Sequence, residues 1–281
     1  MKKRNSAPVI KKQSLPSAAL KQSGAAAIKE PNSLTVIMVS LFMLLLLGYS
    51  AASYMRNRIY KTPLSLWRSM AESSPNKRRT HENFGQALST VGQLDEALRE
   101  FKTVLALPDD GSVPMRDLYR EIGVVYFRMN RIDESIVAWK QGLAFAPNDP
   151  GLMNNLAVAL MRTGQYDEAA SYATIGLQGN ASMPTLLNTL GEVAMHKGEF
   201  EKAVGYFAKG VEMNPDDTSN TWNAAVACER TGQYERAMAY LNRYLVLETR
   251  QQGRNNALEL QKHLNLKMSK NAKGVQNRPA Q

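Results

Sequence analysis

The stretch RTGQYDEAA at residues 162–170 returns as RTGQYERAM at 230–238, 68 residues later, and 68 is twice 34. Halfway between lies HKGEFEKAV at 196–204, and one period before the first copy lies RMNRIDESI at 128–136. A fifth relative, TVGQLDEAL at 90–98, sits one period plus four residues upstream, with the surplus placed in LPDDGSVPM. A period of this length marks a repeat architecture, in which each unit buries its apolar face by stacking on its neighbours. Five units follow: 78–111, 116–149, 150–183, 184–217 and 218–251.

Each column of the aligned units has a physical reading. The eighth position is Gly85, Gly123, Ala157, Gly191 and Ala225, and the twentieth is Ala97, Ser135, Ala169, Ala203 and Ala237. Such small residues let two helices of a hairpin, A and B, approach closely. The fifteenth position is Gly92, Asn130, Gly164, Gly198 and Gly232, the residue types that best tolerate the left-handed conformation ending a helix. The acidic pairs Asp95-Glu96, Asp133-Glu134 and Asp167-Glu168 suit the positive N-terminal end of helix B. Phe101, Trp139, Phe207 and Leu241 recur at position 24, with Ala173 the small exception, and are expected to fill the core between successive hairpins.

These columns, with LYREIGVVYF…ESIVAWKQGLAFAP and LLNTLGEVAM…EKAVGYFAKGVEMNP, resemble the tetratricopeptide repeat (TPR) over residues 78–251. The resemblance implies an all-α fold, an α-α superhelix or TPR solenoid whose A helices line a concave surface. The repeat-ending proline is kept at Pro147 and Pro215 and replaced by Asp109, Ala181 and Thr249. Trp67 and Pro75 place a half-repeat over 62–77, and NNALELQKHLNLKM offers Leu258, Leu260 and Leu264 as a capping helix over 252–268.

In place of the half-repeat's helix A stands LTVIMVSLFMLLLLGYSAASYM, residues 34–55, with no charge from Pro31 to Met55. Its length suffices to cross a hydrocarbon core, and a single transmembrane helix is expected. A cleavable signal peptide with SAA at 50–52 as the cut site is the alternative, disfavoured by the long preceding tail. Charges within reach of the two ends do not settle orientation, with Arg56, Arg58, Lys61 and Arg68 on the C-terminal side. The run RNRIYKTPLSLWRSMAESSPNKRRTHENFGQAL resembles the junction between the last membrane helix and the TPR array of multi-spanning, lipid-sugar-dependent glycosyltransferases, through Arg56-Asn57, Leu66-Trp67, Ser74-Pro75 and Asn83-Phe84-Gly85. It implies a single-pass protein of the bacterial inner membrane with a cytoplasmic N-terminus and a periplasmic array. That family's catalytic membrane portion has no counterpart here.

The formal net charge is +10, yet residues 62–268 hold 22 Lys and Arg against 24 Asp and Glu. The excess lies beside the apolar segment and in two tails, 1–33 and 269–281, whose composition reads as disordered. Basic residues there suit anionic head groups, and without a basic stripe on the array nucleic-acid binding is not expected. The chemical inventory is thin. His81, His196 and His263 lie apart with no metal-ligand spacing, and the one cysteine, Cys228, occupies a packing column. The paired acids Asp109-Asp110 and Asp216-Asp217 fall in turns. We expect no catalysis, no metal and no cofactor.

What remains is binding. In this family positions 2, 5, 6, 9, 12 and 13 of helix A lie on or near the concave groove. The sixth position reads Asn83, Glu121, Asn155, Thr189 and Asn223, an interrupted row resembling the asparagine ladder that holds peptide backbones in some superhelical arrays; a merely tolerated polar residue is the plainer reading. Further expected groove residues are Arg120, Phe127, Asn154, Val158, Met161, Asn188, Met195 and Trp222. Arg128, Arg162, His196 and Arg230 share position 13, either a row of donors for a carboxylate or a solvated rim. The function expected is a membrane-tethered adaptor or assembly scaffold for a protein or peptide partner. The alternatives are an accessory subunit of an envelope glycosylation or polysaccharide enzyme and a chaperone for a secreted or cytochrome-like client. Oligomeric state has no signal in the sequence.

Overall fold

Two helices of the array start on a short acidic side chain. Asp149 accepts the Leu152 N–H at 2.9 Å ahead of Pro150, and Asp217 accepts that of Ser219 at 2.8 Å, satisfying amides that the first turn of a helix leaves unpaired. The computed structural model describes residues 32–179 and 183–276, which form thirteen α-helices and no strand. The expected disordered N-terminal tail therefore lies, but for its last two residues, outside the described residues, as do residues 277–281 of the expected C-terminal one.

The first unit, by itself, contains α1 (Ser33–Ile59), slightly longer than the expected 34–55. Its apolar side chains are exposed, and a 25-residue window, Ser33–Asn57, is long and apolar enough to cross a membrane by length and composition, a test that a signal sequence also meets.

The second unit begins with α2 (Pro63–Ser73), where Thr62 and Ser65 form a reciprocal capping box. Five helical hairpins follow: α3 (Arg78–Thr90) with α4 (Leu94–Ala106), α5 (Met115–Arg128) with α6 (Ile132–Phe145), α7 (Pro150–Arg162) with α8 (Tyr166–Gly179), α9 (Pro184–His196) with α10 (Phe200–Met213), and α11 (Thr218–Arg230) with α12 (Tyr234–Leu247). The last helix, α13 (Gln251–Gln276), runs past the expected end at residue 268 and through most of the stretch expected to be a disordered tail. It packs through Ala257 and Leu264, both fully buried, while Leu260 is half-buried and Leu258 stays 43% exposed. The apolar stripe of α13 therefore runs through Ala257, a position that sequence reading passed over, in preference to Leu258.

The fifteenth column is left-handed in every copy, with φ +77° at Gly164 and +59° even at Asn130. The residue after it closes the helix by a six-residue backbone bond, as in Gln165 N–H to Leu160 C=O at 2.9 Å and Arg131 N–H to Tyr126 C=O at 2.9 Å. The loop 107–114 between α4 and α5, which takes up most of the surplus, buries Val113 and carries Asp109, the partner of buried Arg78, which also donates to the Val104 carbonyl at 3.1 Å.

The eighth column is small for a reason the sequence hid. A methyl built on Gly85 would sit 2.7 Å from the Phe101 ring, and Gly123 and Gly191 are approached still more closely by Trp139 and Phe207. The large residue of position 24 thus seats its ring in the notch left by position 8 of the same hairpin, as well as filling core between hairpins as expected. Where position 8 is Ala157 or Ala225, position 24 is Ala173 or Leu241 and no ring is present. Trp139 adds a hydrogen bond from Nε1 to the Arg120 carbonyl at 3.1 Å.

Gly191→Ala should overpack this notch and destabilise the array by about 1–3 kcal/mol. Adding Phe207→Leu, which recreates the Ala225–Leu241 pairing, should cost less than the sum of the two single changes. Thermal melting of the four proteins of this cycle checks the coupling; strict additivity would mean that ring and notch do not interlock.

Candidate functional site

The A helices carry the expected groove residues as half-buried or exposed side chains, none of them fully buried. They fall into groups with different partners. Toward the N-terminal end, Arg120 pairs with Asp117 at 2.9 Å, and Glu121 lies 3.8 Å from Arg120. Burial pushes the Glu121 carboxyl up from its ordinary value, against the lowering effect of Arg120 and reinforced by Glu82 and Asp117. Among the described residues the half-buried amides of Asn83 and Asn155 make no hydrogen bond.

Thr189, which interrupts the row of asparagines, is buried and donates to Asn154 Oδ1 at 3.0 Å and to the Thr185 carbonyl at 3.0 Å. Asn154 is left with its amide N–H groups. One step along, Asn223 Nδ2 donates to Asn188 Oδ1 at 2.9 Å, and Asn188 Nδ2 donates to Glu192 at 2.6 Å. The sixth column is therefore not a uniform ladder. It consists of two amides without a bonded partner among the described residues, one carboxylate, Glu121, and two inter-helix bridges.

The row at position 13 makes several contacts within the array. Arg128 Nη1 donates to the Ser89 carbonyl at 2.7 Å and to its hydroxyl at 2.9 Å. Arg162 lies over the Phe127 ring, 4.3 Å from its centroid, and Phe127 tilts against Trp139 at 5.7 Å. His196 stacks on Tyr166 at 4.9 Å, and Arg230 sits 3.8 Å from Glu229. Three of the four reach back onto the preceding hairpin and so link neighbouring repeats, while all four side chains stay exposed. Val158, Met161 and Met195 stand half-buried between these groups, with Met161 and Met195 packed against the core. Cys228 is fully buried, which pushes its thiol up and leaves it a packing residue.

Glu192, Tyr166 and the cluster at the end of α12 were missed at the level of sequence. The signal for Glu192 was a departure within a groove column: position nine is Gln86, Val124, Val158 and Val226 in the other units. At the groove's C-terminal end Trp222 tilts against Tyr244 at 5.2 Å. Tyr244 donates to Glu248 at 2.8 Å, and Arg250 grips the same carboxylate through Nε at 3.0 Å, Nη2 at 2.7 Å and its backbone N–H at 2.8 Å. Among the described residues no group of three or more His, Cys, Asp or Glu is placed to hold a metal ion.

With the geometry in view, the family is plain. The family model described as "Tetratricopeptide repeat" matches residues 83–152, 120–184, 154–218 and 188–256, more than half of the chain, which therefore belongs to the tetratricopeptide-repeat family. Among solved structures the chain is similar to YrrB, described as "a TPR protein with an unusual peptide-binding site", at 21% identity over 70% of this chain and 97% of that one, with a TM-score of 0.52. It is similar to MamA at 19% identity over 61% and 91%, with a TM-score of 0.52. It is also similar to pilF of Pseudomonas aeruginosa at 18% identity over 71% and 87%, with a TM-score of 0.59. At these identities the likeness is one of fold. No curated protein matches the sequence.

The grip of Arg250, from side chain and backbone, together with the Tyr244 hydroxyl, holds the Glu248 carboxyl down at about 2, against an ordinary 4.5. A carboxyl depressed on folding contributes stability that is complete above its unfolded value and is lost as pH falls from 4.5 toward 2. Wild type should therefore melt above Glu248→Gln at pH 7, with the two melting temperatures converging as the pH is lowered toward 3. A difference that stays constant over this range would deny the carboxylate its role.

Proposed function

We propose that this protein is a membrane-tethered adaptor that captures a partner polypeptide in the concave groove of its repeat array and does no chemistry on it. The observation that carries this reading is the pair Asn83 and Asn155: half-buried amides on the groove face, two repeats apart, with no hydrogen bond among the described residues. An amide so placed offers one acceptor and two donors, which suits the alternating N–H and C=O of an extended backbone. The half-buried Phe127, Val158, Met161, Met195 and Trp222 supply apolar anchor points between the polar groups.

The tether is α1. An apolar helix whose side chains the chain itself leaves exposed belongs in hydrocarbon. The basic tail before it and the junction motif favour a cytoplasmic N-terminus with the array outside the cytoplasm. A scaffold so placed raises the local concentration of its partner at the bilayer.

Photo-crosslinking residues introduced at Val158 and Met161 should trap a polypeptide, and one introduced at Val137, an exposed residue of helix B, should not. The double change Asn83→Ala and Asn155→Ala should weaken capture about thirtyfold while leaving helix content intact, on the basis of about 1 kcal/mol for one hydrogen bond lost at each position. Undiminished capture by the double variant removes the backbone-ladder reading. Trapped membrane enzymes would turn the assignment toward an accessory subunit, and a range of unfolded secreted clients toward a chaperone. Protease added to intact spheroplasts should digest the array; protection of it would reverse the orientation.

A further inference from the structure

We infer that the groove selects a cationic side chain, Lys or Arg, of its partner, and that Glu192 is the residue that seats it. The inference rests on the groove being a polypeptide-binding surface and adds the chemistry of one subsite.

Glu192 projects from the ninth position of α9, where no other repeat has an acid. It accepts from Asn188 Nδ2 at 2.6 Å and from Asn223 Nδ2 at 3.3 Å, and Asn223 Nδ2 also reaches Asn188 Oδ1 at 2.9 Å. An ionised carboxylate only accepts hydrogen bonds. It therefore turns the nitrogen of both amides toward itself and fixes which of their atoms face outward. Both N–H groups of Asn223 are consumed, and one of Asn188. Left open are the second carboxylate oxygen of Glu192, the Asn223 carbonyl oxygen and one N–H of Asn188. The balance is two acceptors, one of them an oxygen that shares the carboxylate's charge, against a single donor.

Nothing in the array neutralises that charge. Among the described residues no Lys, Arg or His lies within ion-pair distance of Glu192. The nearby cations are committed elsewhere. Arg250 is clamped on Glu248, and the His196 ring, one turn along α9, stacks on Tyr166. A half-buried carboxylate with amide partners but no counter-charge is incompletely compensated, and a partner's ammonium or guanidinium would complete it.

The surroundings suit the stem of such a side chain. Glu192 and Asn223 stand between two depressions. One, of about 190 Å³, is lined by Met195, His196, Phe207 and Val226. The other, of about 270 Å³, is lined by Thr218, Ser219, Trp222, Tyr244 and Arg250. Lys and Arg lay their methylenes along apolar surface while the head group meets a charge, and the Trp222 face adds attraction for a cation. One repeat earlier the polarity is reversed, because Asn154 gives its oxygen to Thr189 and presents its N–H groups. Donors in the middle of the groove and acceptors toward its C-terminal end would give a bound chain a direction.

The test is selection from a phage-displayed random dodecapeptide library on the full-length chain in nanodiscs, followed by affinity measurements on the consensus peptide. Wild type should enrich peptides with Lys or Arg at one fixed position. Glu192→Gln, whose amide oxygen can still accept from Asn188 and Asn223, should melt as wild type does, lose that preference and bind the consensus peptide about tenfold more weakly. Replacing the selected Lys or Arg by norleucine should cost wild type a similar factor, a measurement that needs no variant to fold. Enrichment without a basic position, or a basic preference that survives in Glu192→Gln, overturns the cation subsite while leaving the groove as a peptide site. If no enriched peptide is weakened by Asn83→Ala with Asn155→Ala, the groove reading itself fails and takes this one with it.

Discussion

The array rests on the closeness of two helices within each hairpin. Where position 8 lacks a side chain, the ring of position 24 occupies the vacated volume, and Phe101, Trp139 and Phe207 are each almost wholly withdrawn from solvent there. Packing at this density tolerates little change in volume, so the two columns vary together: a ring against glycine, a smaller residue against alanine. In these three hairpins the ring sets how closely helix B lies on helix A.

Polar side chains then link the hairpins. Arg128 on Ser89, Arg162 on Phe127, His196 on Tyr166, Thr189 on Asn154 and Asn223 on Asn188 all bridge from one A helix to the hairpin before it. In a solenoid each repeat touches only its neighbours, so the stability of the whole is close to a sum of such steps. The same bridges decide which groove atoms remain for another molecule. Arg128 commits one of its nitrogens to Ser89, whereas Asn83 and Asn155 make no hydrogen bond among the described residues.

Charge is partitioned in the same manner. The excess positive charge lies outside residues 62–268, which are close to neutral, and within the array most carboxylates meet a cation or a backbone amide. Glu248 is held by Arg250 and Tyr244 where α12 passes into α13, whereas half-buried Glu192 is bonded only by the amides of Asn188 and Asn223. A carboxylate already gripped from several sides has little left for a ligand; one without a counter-charge does.

The sequence by itself determined the repeat register, the left-handed turn residues, the hairpins and the long apolar helix, because these depend on local conformation and on periodicity, which a linear text carries. Glycine or asparagine at position 15 is dictated by φ, and acids at the start of helix B by unpaired amides. Tertiary structure alone decided where polar side chains point. Arg162 had solvent, a ligand and the Phe127 ring as possible destinations, and the choice depends on atoms 35 residues away in the chain that stacking brings to 4.3 Å. Asn188, Glu192 and Asn223 became one cluster for the same reason: a hydrogen-bond network depends on the distances and angles between helices, which no column of an alignment records.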